Sequence, residues 1–151
     1  MGRIEEEVVM RGAVATAEVD INATPARVWQ ALVDPEQIHR YMFGSRVETD
    51  WQPGHPIVWK GEYEGRRYED RGEVLEVHPM RRLKVTHFSP LSGKPDVPAN
   101  YHTLTYELEL RDGRTHVVLS QDNNANDDEV KHSTANWESM LAGLKAFVEE
   151  G

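Results

Sequence analysis

The chain is predicted to be an α+β domain in which six to seven antiparallel strands precede one long carboxyl-terminal helix. The final stretch, residues 126–150, carries apolar side chains at the three- and four-residue spacing of a helix with one buried face. Those side chains are Trp137, Met140, Leu141, Leu144, Phe147 and Val148. Runs of alternating polarity come before it, and two short helical segments follow the first run. A long helix against such a sheet tends to leave a space between the layers, where we expect a ligand.

Length and composition indicate one domain with a single core. The chain has 151 residues, of which 38% are hydrophobic. A domain of this size buries roughly 68–70% of its unfolded surface, which is enough for a substantial core. The first twelve residues are acidic, and we expect them to be mobile. Residues 13–151 are predicted to form the domain.

Charge and residue usage exclude several classes of function. With 17 Lys and Arg against 26 Asp and Glu, the formal net charge is −9, which disfavours nucleic acid and anionic membrane surfaces as partners. There is no cysteine, so disulfides, thiolate catalysis and cysteine-based zinc sites are excluded. No apolar run approaches the ~20 residues of a membrane span. The amino terminus lacks an apolar signal core, so a cytoplasmic location is expected.

Local signals place the elements in order. Residues 13–22 alternate as a half-buried strand. Thr24-Pro25 and Asp34-Pro35 each pair a capping residue with a proline at the first helical position, which predicts two short helices. Further strands are predicted over residues 47–51, 56–63, 67–77, 82–88, 101–110 and 115–122. Gly72 suggests a bulge, Asp112-Gly113 a tight hairpin, and Asn126 with Glu129 the start of the long helix.

Several motifs, taken in order and spacing, resemble one known superfamily. They are Thr24-Pro25-Ala26-Arg27-Val28-Trp29, Asp34-Pro35-Glu36, Trp51-Gln52-Pro53-Gly54, Gly72-Glu73-Val74-Leu75-Glu76-Val77, Pro79, Arg82-Leu83, Asn100-Tyr101-His102-Thr103, Gly113-Arg114-Thr115, Trp137, Leu141 and Leu144. Over residues 14–149 the chain resembles the START-like, helix-grip superfamily, also called SRPBCC, which includes the birch-pollen allergen and polyketide cyclases. Within it, the chain is most similar to the branch named after the activator of heat-shock protein 90 ATPase.

The resemblance implies a fold more specifically than an activity. It implies a curved antiparallel sheet wrapped around the terminal helix, with two short helices after the first strand. The same scaffold serves lipid carriers, hormone receptors, cyclases and co-chaperone modules. The co-chaperone that names the branch has an additional amino-terminal domain for chaperone contact. Tyr41 and His87 stand where the branch often has tryptophan, so its substrates are not carried over.

Alternation along the strands predicts which side chains line the space beneath the helix. The predicted ligand cavity consists of Trp59, Tyr63, Val85, His87, His102, Leu104, Tyr106, Gln121, Trp137, Met140, Leu141 and Leu144. Four of these side chains are polar and lie on otherwise apolar faces, namely His87, His102, Tyr106 and Gln121. This combination is typical of a small-molecule site. The same residues also suit a packed core without a ligand. His87 and His102 are expected to be neighbours across two strands.

Catalytic and metal signals are weak. His87, His102 and Tyr106 are the candidates for proton transfer, but none is assigned a catalytic role. Glu69-Asp70 is interpreted as part of a solvated face. Residues 122–127 resemble a calcium loop but have Asp127 in place of its glycine and Ser133 at the position of its bidentate glutamate. Neither a metal nor a cofactor is predicted.

Three functions therefore remain open. The first is binding of a small apolar or amphipathic ligand between sheet and helix. The second is a protein-interaction module, with a chaperone as one partner. The third is a small cyclase or hydrolase that uses an inward-facing histidine.

Overall fold

A computed structural model of the protein describes residues 11–150. Its elements are β1 (Ala13–Ile21), α1 (Pro25–Val33), α2 (Pro35–Tyr41), β2 (Arg46–Glu48), β3 (Pro56–Tyr63), β4 (Arg66–His78), β5 (Arg82–His87), β6 (His102–Arg111), β7 (Arg114–Asn124) and α3 (Asp127–Glu150). The strands form one curved antiparallel sheet in the order β1-β7-β6-β5-β4-β3-β2. The predicted α+β helix-grip architecture is confirmed. The amino-terminal segment 1–12 is predicted to be mobile. Its first ten residues lie outside the described part of the chain.

The predicted helix starts form as expected. Thr24 Oγ1 accepts a hydrogen bond from the Arg27 amide at 3.2 Å, and Asp34 Oδ1 accepts one from the Glu36 amide at 3.0 Å. At the start of α3, Asn126 Oδ1 accepts from the Glu129 amide at 2.9 Å. Each side chain satisfies a backbone donor that has no partner inside its helix. None of the helices within residues 11–150 is long and apolar enough to cross a membrane.

The strand predicted over residues 47–51 is shorter than expected, because side chains near its end compete for the backbone. Strand β2 ends at Glu48. Thr49 Oγ1 then accepts a hydrogen bond from the Trp51 amide at 3.2 Å, and Asp50 Oδ1 accepts one from the Gln52 amide at 3.0 Å. These local bonds turn the chain instead of extending the ladder, and Trp51 takes a left-handed φ of 60°.

The bulge predicted at Gly72 is wrong in position. The register between β4 and β5 shifts between Val74 and Glu76. Gly72 is needed for another reason: a Cβ there would overlap the backbone carbonyl of Thr86 on β5. The hairpin predicted at Asp112-Gly113 is confirmed, with φ of 50° and 80°. Positive φ at both central residues matches the twist of the flanking strands.

The core lies between the inner face of the sheet and the three helices. The carboxyl-terminal half of α3 buries Met140, Leu141, Leu144 and Val148. This helix packs chiefly against β1, whose small inward residues Ala15 and Ala17 are buried. The amino-terminal half of α3 is less buried and holds Ser133 and Trp137 toward the sheet. The carboxyl-terminal half of α3 is therefore packed more tightly against the sheet than its amino-terminal half.

Candidate functional site

Polar and aromatic side chains gather on the inner face of the sheet, where Gln121 on β7 accepts a hydrogen bond from Trp137 in the amino-terminal half of α3. We call this set the inner-face cluster, and it consists of Trp59, Asp70, His87, His102, Gln121 and Trp137. Strand alternation points His87 on β5 and His102 on β6 toward the helix, and register pairs them directly. The predicted adjacency of the two histidines is confirmed.

Asp70 holds His87 in place. Asp70 Oδ2 lies 2.8 Å from His87 Nε2, and the two side chains are 15% and 22% exposed. The other carboxylate oxygen, Oδ1, is buried and has no hydrogen-bond partner within residues 11–150. The Trp59 ring packs edge-on against the His87 imidazole, with 5.0 Å between their centroids. A buried, hydrogen-bonded carboxylate beside an imidazole fixes the orientation of that ring.

The interpretation of Glu69-Asp70 as a solvated face is wrong for Asp70. Asp70 pairs with Trp59 across β3 and β4, so both side chains share the inner face. The sequence carried a signal for this arrangement, because Asp70 lies at even spacing from the buried Val74. The acidic residues around Asp70 made this two-residue alternation hard to recognise in the sequence.

His102 is fixed by the backbone of β7. Its Nδ1 lies 2.8 Å from the carbonyl oxygen of Asp122. The Asp122 carboxylate is buried and accepts hydrogen bonds from the amides of Thr103 at 2.6 Å and Arg11 at 3.1 Å. These contacts join the residue two positions before β1 to β6 and β7 next to the histidine, and they hold its ring in place.

Gln121 anchors α3 to the sheet through side-chain hydrogen bonds. Its Oε1 accepts a hydrogen bond from Trp137 Nε1 at 2.6 Å. Its Nε2 donates to Ser133 Oγ at 3.3 Å and to Asn124 Oδ1 at 3.4 Å. Asn124 in turn donates to the carbonyl oxygen of Ala13 at 3.0 Å. Asn124 and Ser133 were not anticipated from the sequence, and their side chains tie the amino-terminal half of α3 to β1 and β7.

Tyr106 is buried, and burial raises the pKa of its hydroxyl well above its ordinary value. Burial likewise raises the pKa of Tyr41, with a further contribution from Tyr106. The Tyr41 hydroxyl donates to the carbonyl oxygen of Ala31 at 2.8 Å. A tyrosine whose pKa is raised gives up its proton reluctantly. This environment does not favour Tyr106 as a proton donor in catalysis.

The remaining predicted cavity residues fall into two groups. Five are packed core with at most 3% of their surface exposed, namely Val85, Leu104, Met140, Leu141 and Leu144. All five belong to the hydrophobic core of the domain. Tyr63 lies at the end of β3 beside the turn into β4 and is 63% exposed, apart from the inner-face cluster.

The outer face of the sheet carries a separate charged pocket of about 560 Å³. Arg82 binds Glu107 at 3.0 Å, and Arg111 binds Glu109 at 2.8 Å. His116 contacts Asp20 at 2.7 Å as well as Glu18 at 2.8 Å. The hydrogen bond from His116 holds the pKa of the Asp20 carboxyl below its ordinary value. These charges are satisfied by one another. Residues 11–150 contain no group of three or more side chains arranged to hold a metal ion.

The curved sheet, the two short helices and the long terminal helix define the START-like class of protein. Residues 22–149 match the family described as "Activator of Hsp90 ATPase homolog 1-like protein". The chain belongs to this family.

Solved structures agree with this assignment. ChR145 from Cytophaga hutchinsonii is 47% identical, with a TM-score of 0.81, and the match covers 94% of this chain and 97% of that one. The Aha1 dimer from Colwellia psychrerythraea is 18% identical, with a TM-score of 0.72 and coverage of 91% and 96%. CalU16 from Micromonospora echinospora is 19% identical, with a TM-score of 0.69 and coverage of 93% and 86%. The last two likenesses concern the fold alone. No curated protein matches the chain significantly.

Proposed function

We propose that this domain binds a small apolar or amphipathic molecule at the inner-face cluster. The observation that carries the proposal is the convergence of two imidazoles, one carboxylate and two indoles on an otherwise apolar face. Ligand sites are typically apolar surfaces with a few placed polar groups. His87, His102 and Trp137 are only half-buried, so a ligand can reach them without opening the packed core.

The two halves of α3 support this location. The carboxyl-terminal half is sealed onto the sheet by fully buried residues such as Met140 and Leu144. The amino-terminal half is tied down by the hydrogen bonds of Gln121, Ser133 and Trp137. The half-buried surface of His87 and His102 lets a ligand bind while these hydrogen bonds stay intact, which keeps the reorganisation cost low.

The test combines native mass spectrometry with thermal-shift measurements. The purified protein is examined for a co-purifying molecule and then screened with fatty acids, sterols, flavonoids and aromatic polyketides. We expect a shift of several degrees with one chemical class, because a ligand that binds only the folded state stabilises it. A double variant, His87→Ala with His102→Ala, should lose that shift.

His55→Ala is the matched control. His55 also contacts a carboxylate, Asp50, at 2.7 Å, but both side chains are exposed near the start of β3. Its removal should leave the ligand-induced shift intact. An apo mass with no shift from any class would contradict the proposal, as would an equal loss of the shift in the control.

Protein interaction is the second candidate, and it is favoured by the family description and by large exposed apolar side chains. Phe43 is 55% exposed and Leu110 is 62% exposed. The direct test measures ATP hydrolysis by purified heat-shock protein 90 with and without this domain. Stimulation that is lost in Phe43→Ser but retained in His87→Ala would favour this candidate over ligand binding.

A further inference from the structure

We propose that the inner-face cluster selects uncharged aromatic molecules that carry hydroxyl groups, through Nδ1 of His87 and Nε2 of His102. The inference rests on the proposed function and names the ligand class for the same site. It follows from the partners that already hold the opposite nitrogen of each ring.

His87 Nε2 lies 2.8 Å from Asp70 Oδ2, and an ionised carboxylate can only accept a hydrogen bond. Nε2 therefore carries the proton and donates. In a neutral imidazole the other nitrogen is then an acceptor. Nδ1 of His87 has no hydrogen-bond partner within residues 11–150, and the side chain is 22% exposed.

His102 Nδ1 lies 2.8 Å from the backbone carbonyl oxygen of Asp122, and a carbonyl oxygen also only accepts. Nδ1 therefore donates, which leaves Nε2 as the acceptor. This second acceptor likewise has no partner within the described part of the chain, and the side chain is half-buried.

The two histidines are neighbours on the sheet. His87 and His102 are directly opposite across β5 and β6, which places their Cβ atoms roughly 4.5–5.5 Å apart. One small molecule can therefore cover both rings. A ligand that covers an acceptor nitrogen removes it from water, and an acceptor left there without a donor costs free energy. The pair therefore favours ligands that bring donors and discriminates against otherwise similar ligands that lack them.

Charge and shape also favour an uncharged aromatic ligand. The inward positions of β5, β6 and β7 near the cluster carry no lysine or arginine, and Asp70 places a carboxylate in the cluster itself. A ligand carboxylate would therefore meet a like charge with no cation from these three strands to offset it. The Trp59 ring supplies flat apolar surface beside His87, which suits an aromatic ligand.

The proton positions are tested directly by long-range ¹H–¹⁵N correlation spectra of the imidazole rings at mildly alkaline pH. We expect the Nε2–H tautomer for His87 and the Nδ1–H tautomer for His102. The opposite tautomer at either ring, or two protonated nitrogens on either ring, would overturn the inference.

Selectivity is tested with three probes of one shape: 2-naphthol, 2-methoxynaphthalene and 2-naphthoate. Isothermal titration should show 2-naphthol binding roughly tenfold more tightly than 2-methoxynaphthalene, since only its hydroxyl can donate to an acceptor nitrogen, and 2-naphthoate binding weakest. His102→Phe should reduce the preference for 2-naphthol and leave the affinity for 2-methoxynaphthalene unchanged. The double variant Asp70→Leu with His87→Phe should do the same without leaving a carboxylate unpaired, and His55→Phe is the control.

The outcomes separate the two proposals. Equal binding of all three probes would overturn the selectivity while leaving the ligand-binding function standing. Tighter binding of 2-naphthoate than of 2-naphthol would do the same. Failure of all three probes to bind would contradict the proposed function, and the selectivity with it.

Discussion

At the residue scale, Gln121 and Trp137 illustrate how a polar group on an inner strand face is made compatible with burial. Trp137 Nε1 donates to Gln121 Oε1 at 2.6 Å, while the Gln121 amide donates to Ser133 and Asn124. Gln121 is only 9% exposed. Every polar atom of its side chain has a partner, which is the condition for a stabilising buried network.

Trp137→Phe should therefore destabilise the protein by about 1–3 kcal/mol, because it leaves a buried oxygen of Gln121 without its donor. Urea unfolding measures the loss. Combining it with Gln121→Met should recover part of that free energy, since both partners are then apolar. Losses that simply add in the double variant would show that the two side chains do not interact.

Lys84 is a second residue whose buried polar group needs a partner, in this case a negative charge. Its side chain on the outer face of β5 is 5% exposed, and its Nζ lies 3.4 Å from Glu76 Oε2. Burial raises the pKa of Glu76, but the Lys84 charge and hydrogen bonds from His78, Arg82 and Lys84 outweigh it and hold the pKa below its ordinary value. The folded state thus favours the ionised carboxylate.

Glu76→Gln should cost about 2–4 kcal/mol at neutral pH, because it leaves a buried ammonium unpaired. A lowered folded-state pKa contributes stability above the ordinary value of 4.5 and loses it as the pH falls further. The difference in unfolding free energy between wild type and variant, measured by denaturant titration, should therefore narrow below that pH. The control Glu109→Gln, at a pair in which Glu109 is 63% exposed, should cost less than about 1 kcal/mol. A gap that is constant with pH would contradict this account.

At the scale of elements, β4 positions the site through a close approach to β5. Gly72 lies against the Thr86 carbonyl, between Asp70, which binds His87, and the register shift at Val74 and Glu76. This approach lets a carboxylate on β4 reach an imidazole on β5. A side chain at residue 72 would push the strands apart.

Gly72→Ala should destabilise the fold by about 1–3 kcal/mol through overpacking against the backbone. It should also shift the imidazole resonances of His87 in the same long-range spectra. The neighbouring Glu73→Ala, which removes an exposed side chain, serves as the control and should do neither. Unchanged stability in Gly72→Ala would show that the backbone relaxes at no cost.

At the scale of the whole molecule, the protection of backbone amides from hydrogen exchange is expected to differ between regions. The centre of the sheet and the carboxyl-terminal half of α3 hold fully buried side chains such as Leu119 and Leu144. The β3–β4 turn at Glu64 and the amino-terminal half of α3 are more exposed. Regions with few buried contacts open at lower free energy than the global unfolding.

Hydrogen exchange should therefore be slowest in β6, β7 and the end of α3, and faster by orders of magnitude around residues 127–136. Adding a ligand that binds the inner-face cluster should slow exchange in that first half of α3. Uniform protection along the whole helix in the ligand-free protein would contradict the division of α3 into two halves.

The type and order of the elements could be predicted from the sequence, because each depends on neighbours along the chain. A period of two marked the strands, a period near 3.6 marked α3, and Thr24, Asp34 and Asn126 marked the helix starts. The adjacency of His87 and His102 also followed, since two sequential strands tend to pair. Strand β2 was overextended because Thr49 and Asp50 bond the backbone locally.

The tertiary structure alone decided which polar side chains meet and how deeply each predicted cavity residue is buried. Asp70 reaches His87 across 17 positions of chain, and Gln121 reaches Trp137 across 16. Such pairs depend on the register shift in β4 and on the angle at which α3 crosses β1, neither of which is encoded in a local period. Alternation tells which face a side chain occupies, but only packing in three dimensions determines whether that face is sealed or open.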